Sequence, residues 1–331
     1  MELNRREFLK VSAASAAGAA LINADALAAE ARDGMPYRKL GKTGEEVSLL
    51  CLGGAHLVIG GVEEEDAIKI MRTAVDEGVN FFDNAAGYGN GEAEIRMGKA
   101  LKDGYRDKVF LMTKHKGRNA HHAQEELEDN LRRLDVDVID LWQFHEIVHP
   151  TLVDNIYDNG ALEFALKARD EGKIRYIGYT GHFHPFIMAE MLERGFPFDT
   201  VQMPINPFDH HYRSFEKELL PKVVEKGIGV IAMKTNAGGG IGHSKVFTPT
   251  ECLRYAWSLP VSTACSGMDS LDVLRENLAA AKAFKPLSDD ERSEWLARAA
   301  EAGKNGEHEV YKTGWHRDIA HWLEQEKGIS S

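Results

Sequence analysis

From Val47 onward the chain alternates short apolar runs with longer stretches in which apolar residues recur at i, i+3 and i+4. The short runs read "VSLLCLG", "NFFD", "KVFLMTK", "VIDLWQFH", "IRYIGYT", "FDTVQMP", "IGVIAMK" and "VSTACSG". Their length, apolar character and polar borders predict strands. The intervening periodicity predicts helices over Glu63–Glu77, Gly91–Leu101, Ala123–Leu134, Asp154–Glu171, Pro185–Glu193, Arg213–Glu225, Pro249–Ser258 and Leu271–Ala283. Several end at glycine, as in "AVDEGVNF", "ARDEGKIRY" and "VVEKGIGV", where a left-handed C-cap hands a helix over to a strand. Such alternation predicts an α/β fold, a parallel (β/α)8 TIM barrel over residues 35–285, with a C-terminal helical or loop extension (286–331) over or beside it. A doubly wound sheet alternates in the same way, but its first strand normally leads into G-x-G-x-x-G. The stretch "CLGGAHLVIGG" is not that pattern.

In such a barrel, chemistry gathers at the C-terminal ends of the strands. The second strand ends at Asp83, and Tyr88 follows in the next loop. The third ends at Lys114 in "FLMTK" and the fourth at His145 in "LWQFH". Taken singly, each has an ordinary structural use: a turn cap, a half-buried ring, a snorkelling lysine, a satisfied core histidine. Together they form a proton-donor set. A free phenol titrates near ~10, too high for fast protonation at neutral pH. A neighbouring ammonium is expected to lower that value, Asp83 to hold the ammonium, and His145 to orient a carbonyl oxygen.

Residues 1–28 follow different rules. A charged "NRREFLK" (Asn4–Lys10) precedes a run of small and apolar residues that closes on "ALA" at Ala28, the build of an export signal. Arg5-Arg6 followed by Phe8-Leu9-Lys10 resembles the twin-arginine consensus, with Asn4 where Ser or Thr is usual. The resemblance implies the twin-arginine translocation machinery as a partner and a periplasmic or other extracytoplasmic destination. The uncharged run Val11–Asn23 is shorter than the ~20 residues a bilayer span needs, so no membrane insertion of the mature protein is expected. Export of this kind carries folded proteins, which suggests that something is acquired before departure.

A net charge of -12 and a pI near 5.6 argue against nucleic acid and anionic membranes. The three cysteines, Cys51, Cys252 and Cys265, lie far apart in sequence. They predict neither a disulfide framework nor a zinc site.

The segments "YRKLGKTGEEVSLLCLGG", "FFDNAAGYGNGEAEIRMGKAL" and "LRRLDVDVIDLWQFH" resemble the aldo/keto reductases, and the likeness runs from about Tyr37 to Ala283. The family's Asp, Tyr, Lys and His tetrad maps onto Asp83, Tyr88, Lys114 and His145. The resemblance implies hydride transfer between NADP(H) or NAD(H) and a small-molecule carbonyl or alcohol, without metal. Tyr88 then acts as the acid, or as the base in reverse. Cofactor contacts are implied at Gly54, at Thr180 and Gly181 where many members carry Ser-Asn, and at Gln202 for the carboxamide. Met233 stands where a stacking aromatic is common. Lys234 and the Gly238–Gly240 backbone (Gly238 and Gly239 foremost) fall to the pyrophosphate. Gly267, Asp269, Ser270, Glu276 and Asn277 fall to the adenosine half. Gly267 and Val273 occupy the positions of the basic 2′-phosphate clamp and Arg275 is offset, so NADP and NAD both stand, with a lean to NADP from family habit. His56, Glu146 and His182 are substrate-side candidates. Tail residues Glu307, Tyr311, Trp315 and Trp322 either cover the barrel mouth or pack on helices. Two other readings remain: a cofactor-binding sensory module with little turnover, and a metal-dependent hydrolase. The only His-x-His, His182 and His184, follows the fifth strand rather than the first.

Overall fold

The computed structural model describes residues 30–314 together with Ile319 and Leu323. The export segment, Trp315 and Trp322 lie outside the described residues. Strands β1 (Glu30–Arg32), β2 (Met35–Lys39) and β3 (Glu46–Ser48) form a small antiparallel sheet. Eight parallel strands then close a barrel: β4 (Leu50–Gly53), β5 (Phe81–Asp83), β6 (Phe110–His115), β7 (Ile139–Phe144), β8 (Ile174–Thr180), β9 (Thr200–Pro204), β10 (Gly229–Met233) and β11 (Thr263–Gly267). Neighbours follow chain order around the ring, and β11 pairs β4 with Cys265 opposite Cys51 and Gly267 opposite Gly53.

The barrel interior holds Cys51, Phe81, Phe110, Met112, Leu141 and Ile231, with Leu40 and Val47 packed among them. Phe110 stacks between Phe81 and Tyr176, at 5.1 and 5.9 Å between ring centroids. The larger core lies outside the ring, between strands and helices. This two-sided burial is why the strand sequences read as apolar runs rather than alternations. Among the described residues no helix is long and apolar enough to cross a membrane.

Three features depart from the sequence reading. The run "VSLLCLG" supplies two strands, β3 and β4, because its first residues leave the barrel for the antiparallel sheet. That sheet had no periodic signal of its own. The predicted helix Asp154–Glu171 is two helices, Pro150–Asp158 and Ala161–Asp170. Gly160 between them sits at φ 80°, a conformation that ends one helix and caps the next. Likewise Arg213–Glu225 divides into Phe215–Glu218 and Leu220–Glu225, with Pro221 at the restart.

Arg38 ties the small sheet to the barrel. It is 3% exposed and donates to the carbonyls of Trp257 (2.8 Å), Val261 (2.9 Å) and Leu259 (3.3 Å). Burial lowers its pKa to about 10, so the guanidinium remains charged at neutral pH. Each carbonyl left without a donor in a dry site costs about 1–3 kcal/mol. Arg38→Met is therefore expected to lower the unfolding free energy by about 3 kcal/mol, read from urea denaturation followed by circular dichroism. An unchanged midpoint would show that water replaces the guanidinium without loss.

Candidate active site

Strand register brings the predicted tetrad to one end of the barrel. Asp83 closes β5, Lys114 lies one residue from the end of β6, and His145 follows β7. The loop after β5 is set by its own polar groups. Asn84 donates its backbone N–H to Met112 O at 2.9 Å, and its side-chain oxygen accepts from Ala85 N at 2.9 Å. Ala86 N donates to Lys114 O at 3.0 Å, tying the loop to β6. Gly89, Asn90 and Gly91 then take left-handed conformations in succession, at φ 58°, 54° and 93°. That sharp turn swings the chain from Tyr88 into the helix Glu92–Ala100, which explains the Gly-Asn-Gly spelling.

A residue that sequence reasoning missed anchors this helix. Glu94 is fully buried and accepts from Thr113 (2.6 Å), Asn130 (2.8 Å) and Arg133 (3.2 Å). Burial raises its pKa, against the pull of those partners. The available signal was an acid on the same helical face as Ala93 and Met97.

At the centre, Lys114 pairs with one oxygen of Asp83, and Gln202 donates to the other at 2.6 Å. Lys114 also donates to Asn84 O at 2.8 Å and lies 3.3 Å from the Tyr88 hydroxyl. Asp83 and Lys114 are 2% and 1% exposed. Burial works against the Lys114 ammonium, but Asp83 and then Tyr88 outweigh it, and its pKa is raised. The Tyr88 ring meets His145 edge-on, 6.0 Å between centroids.

Two of these ionisations differ from the sequence expectation or sharpen it. The Tyr88 phenol is pushed up to about 12, because burial outweighs the lowering by Lys114. It is a protonated hydroxyl throughout the neutral range. His145 is held well below the usual histidine range by burial first, then by Lys114, Lys116, His182 and Arg118. It is therefore a neutral imidazole, and its Nδ1 is enclosed without a hydrogen-bond partner.

The tetrad separates two cavities. One, of about 350 Å³, is lined by Asp83, Tyr88, Gln202, Met233, Lys234, Gly238, Gly239, Gly267, Asp269 and Asn277. The other, of about 680 Å³, is lined by Lys114, His145, Lys116, Glu125, Glu126 and Arg133 among others. The remaining candidates divide. His56 lines the first cavity, so close to Gly267 that a Cβ there would lie 2.0 Å from its Nδ1. Thr180 is not among the residues that line that cavity, though its hydroxyl lies 3.8 Å from Sδ of the lining residue Met233. Gly54 is buried against Asp83 and Asn84, and Ser270 caps the helix Leu271–Lys282. Glu276 is exposed outside the cavity, whereas Asn277 donates to Ser266 Oγ at 3.1 Å. Glu146 pairs with Lys116 at 2.5 Å, and His182 packs edge-on against Tyr311 at 5.8 Å. His184 caps a helix by accepting from Phe186 N. Glu307 is exposed and Tyr311 is fully buried.

Gly181 has a steric reason. A Cβ there would meet Met188 Sδ at 2.4 Å and Ile147 O at 2.7 Å, which leaves no room for the asparagine common at this place. The three cysteines are free thiols. Distant in sequence, Cys51 and Cys265 are opposite one another across β4 and β11. Their sulfurs and an Asp83 oxygen all lie within 4.8 Å of one another.

Comparison with known proteins adds the following. A model of the Aldo/keto reductase family matches residues 49–251, and one of the twin-arginine translocation pathway signal sequence matches residues 2–21. An uncharacterized oxidoreductase of Bacillus subtilis is 34% identical over 235 residues, covering 63% of this chain and 68% of its own. L-galactose dehydrogenase of Arabidopsis thaliana is 29% identical over 297 residues, covering 77% and 91%. Among solved structures, the holo form of an aldo-keto reductase from Bacillus halodurans superposes with a TM-score of 0.70 at 26% identity. It covers 83% of this chain and 99% of that one.

The residue after Lys114 makes a test of the site's dryness. His115 is fully buried, its ring is stacked on Trp142 at 3.5 Å, and neither nitrogen has a hydrogen-bond partner. Burial, then the Arg118 charge, holds its pKa well below the usual range. The unfolded chain takes up a proton near pH 6.5 that the folded chain refuses, so stability present above that pH is lost as pH falls through it. The loss from pH 7 to 5 is about 2 kcal/mol. His115→Phe, which keeps the stack, is expected to remove that share of the acid sensitivity in urea midpoints measured at both pH values. An unchanged difference between the two pH values would mean that His115 titrates normally.

Proposed function

Because the chain belongs to the aldo/keto reductase family, whose relatives include named oxidoreductases, we propose that it moves a hydride between a nicotinamide dinucleotide and a carbonyl or alcohol, with Tyr88 as the proton donor. The observation that carries this reading is the contact chain from Tyr88 through Lys114 to Asp83, set between two cavities. One cavity suits each reactant.

The residues of the smaller cavity fit a dinucleotide. Gln202 Oε1 is buried without a hydrogen-bond partner, the acceptor a carboxamide N–H₂ would meet. Gly238 and Gly239 both have positive φ, a form common where backbone N–H groups meet an anion, and because the Gly239 N–H is given to Asn236 O at 2.8 Å, the Gly238 N–H would make that contact. Gln202, Thr180 and Met233 would hold the nicotinamide end, and Lys234, Gly238 and Gly239 the pyrophosphate. Asn277 and Asp269 would hold the adenosine end. When bound, the nicotinamide supplies or accepts the hydride.

The protein's own groups manage the proton. A phenol near 12 donates to an oxygen only as that oxygen becomes strongly basic, which ties proton transfer to the late, alkoxide-like stage. Lys114 then lies 3.3 Å from the phenolate it leaves behind. Its role is to stabilise that anion rather than to ionise the resting phenol. Asp83 fixes the ammonium, and Gln202 fixes Asp83. The neutral His145 offers a hydrogen bond to the substrate oxygen without a competing charge. A relative named for a sugar, L-galactose dehydrogenase, makes polyhydroxylated aldehydes and alcohols the first substrates to test.

We further propose that the signal at residues 2–21 takes the folded chain to the periplasm with its dinucleotide bound. Dinucleotide is made in the cytoplasm, so an exported enzyme must keep it through successive oxidations and reductions. Release of near-stoichiometric nicotinamide dinucleotide on denaturing protein from the periplasm is the expected result. An empty enzyme that also ignores added NAD and NADP would overturn the redox reading.

Tyr88→Phe should keep cofactor binding and lose ~10²–10⁴-fold in the chemical step, read by single-turnover oxidation of NADPH. Full activity in that variant would remove Tyr88 from the role. Asp83→Asn and Lys114→Met should each cost nearly as much in kcat/KM as the double variant, because one partner cannot act without the other. Simple multiplication of the two single effects would show that the pair is not a unit.

A further inference from the structure

The C-terminal segment 306–313 does not line either cavity, yet it touches the loop that forms the wall of the smaller one. Gly240 packs directly on backbone: a Cβ there would lie 2.0 Å from His308 O. Lys234, at the exit of β10, has φ 53°, an uncommon conformation for a lysine that its surroundings must enforce. Its carbonyl accepts from Asn206 Nδ2 at 3.2 Å. The same amide lies 3.1 Å from both Glu309 Oε1 and the Tyr311 hydroxyl, and Tyr311 donates to Glu309 at 2.6 Å. Lys234 Nζ stands 5.8 Å from the centre of the Tyr311 ring.

This segment is itself locked down by buried charge. Lys312 donates to Asp209 at 2.5 Å, to Tyr212 O at 2.9 Å and to Glu309 at 3.1 Å. Lys312, Asp209 and Glu309 are all fully buried. The other oxygen of Asp209 accepts from Glu216 N at 2.9 Å, and Arg213 donates to Lys312 O at 2.6 Å. A fully desolvated network of this kind holds one geometry, because any slippage leaves a charge unpaired in a dry site.

We propose that the segment Gly306–Thr313 is a brace for the loop Lys234–Gly240, and that it sets how long a bound dinucleotide stays. Its residues are positioning residues: they act through Lys234 and the glycine loop and reach no reactant. The residence-time part rests on the redox reading above, whereas the mechanical part stands on the contacts alone. Retention needs a loop that rarely opens, and a triple-glycine loop has the least stiffness of its own. Stiffness is supplied from outside, through Gly240 against His308 and through Asn206 between Lys234 and Tyr311.

Two variants test this from independent directions. Tyr311→Phe keeps the ring and removes the hydroxyl that Asn206 and Glu309 share. Gly240→Ala places a methyl against His308 O and leaves every charge in place. In the dinucleotide-free protein, amide hydrogen exchange across 234–244 should quicken roughly 10-fold in both. Stopped-flow dissociation of NADPH should quicken by a similar factor, while the single-turnover rate of Tyr311→Phe at saturating NADPH stays unchanged. Unaltered exchange in both variants overturns the brace. Faster exchange with unaltered dissociation overturns its control of residence. A wild-type chain that takes up no dinucleotide fails the redox reading separately, and the exchange arm still decides the brace.

Discussion

The ion pair between Lys114 and Asp83 is the constraint on which the site depends. Both groups are shut away from water at the top of the barrel. Taking them there costs several kcal/mol per ion, recovered only if every lone pair and proton finds a partner. The fold meets that condition with groups from three strands and a loop: β5 gives Asp83, β6 gives Lys114, β9 gives Gln202, and the Asn84 carbonyl closes the set. The strands β5 and β9 are not neighbours in the ring. Their contact spans the barrel mouth, so a one-residue slip of any of these strands would strand a charge. Register and site geometry are thus one requirement.

Dryness also fixes the protonation state of the remaining members. Burial keeps the Tyr88 phenol protonated and the His145 and His115 imidazoles neutral, each against or beyond what neighbouring charges would do. Within the tetrad this leaves one cation, Lys114, one anion, Asp83, and two neutral hydrogen-bonding groups, Tyr88 and His145. Proximity of Lys114 to Tyr88 alone suggests a lowered phenol pKa. The enclosed setting reverses the sign, because burial outweighs the ammonium's pull on the resting phenol.

Much of this was legible in the sequence because closed parallel barrels place strand ends together whatever the loops contain. Asp83, Lys114 and His145 could be read as convergent from strand order alone, and Tyr88 from its distance to Asp83. The features that escaped reading are those with no local period. Cys51 and Cys265 meet only because the last strand closes against the first. Glu94 carries no mark in its own helix of the partners Thr113 and Asn130, which reach it from β6 and the next helix. The absence of a side chain at Gly181 read as a missing contact, whereas Met188 and Ile147 leave space for nothing else. The breaks at Gly160 and Pro221 were spelled out by residue type but hidden inside continuous apolar periodicity.

The contact between Gly240 and His308 has a temporal meaning. Synthesis runs from the N-terminus, so the twin-arginine segment at residues 2–21 leaves the ribosome nearly 300 residues ahead of His308, Tyr311 and Lys312. All eight barrel strands can be in place by Gly267, yet the loop beside Lys234 still lacks its backing. The transport address is therefore displayed long before the molecule is finished. If the folded chain is exported with its dinucleotide as proposed above, one that crossed the membrane at that moment would arrive with an unsupported loop. A route for folded cargo would remove that hazard, because it would span the length of chain that separates the address from the Gly240–His308 contact.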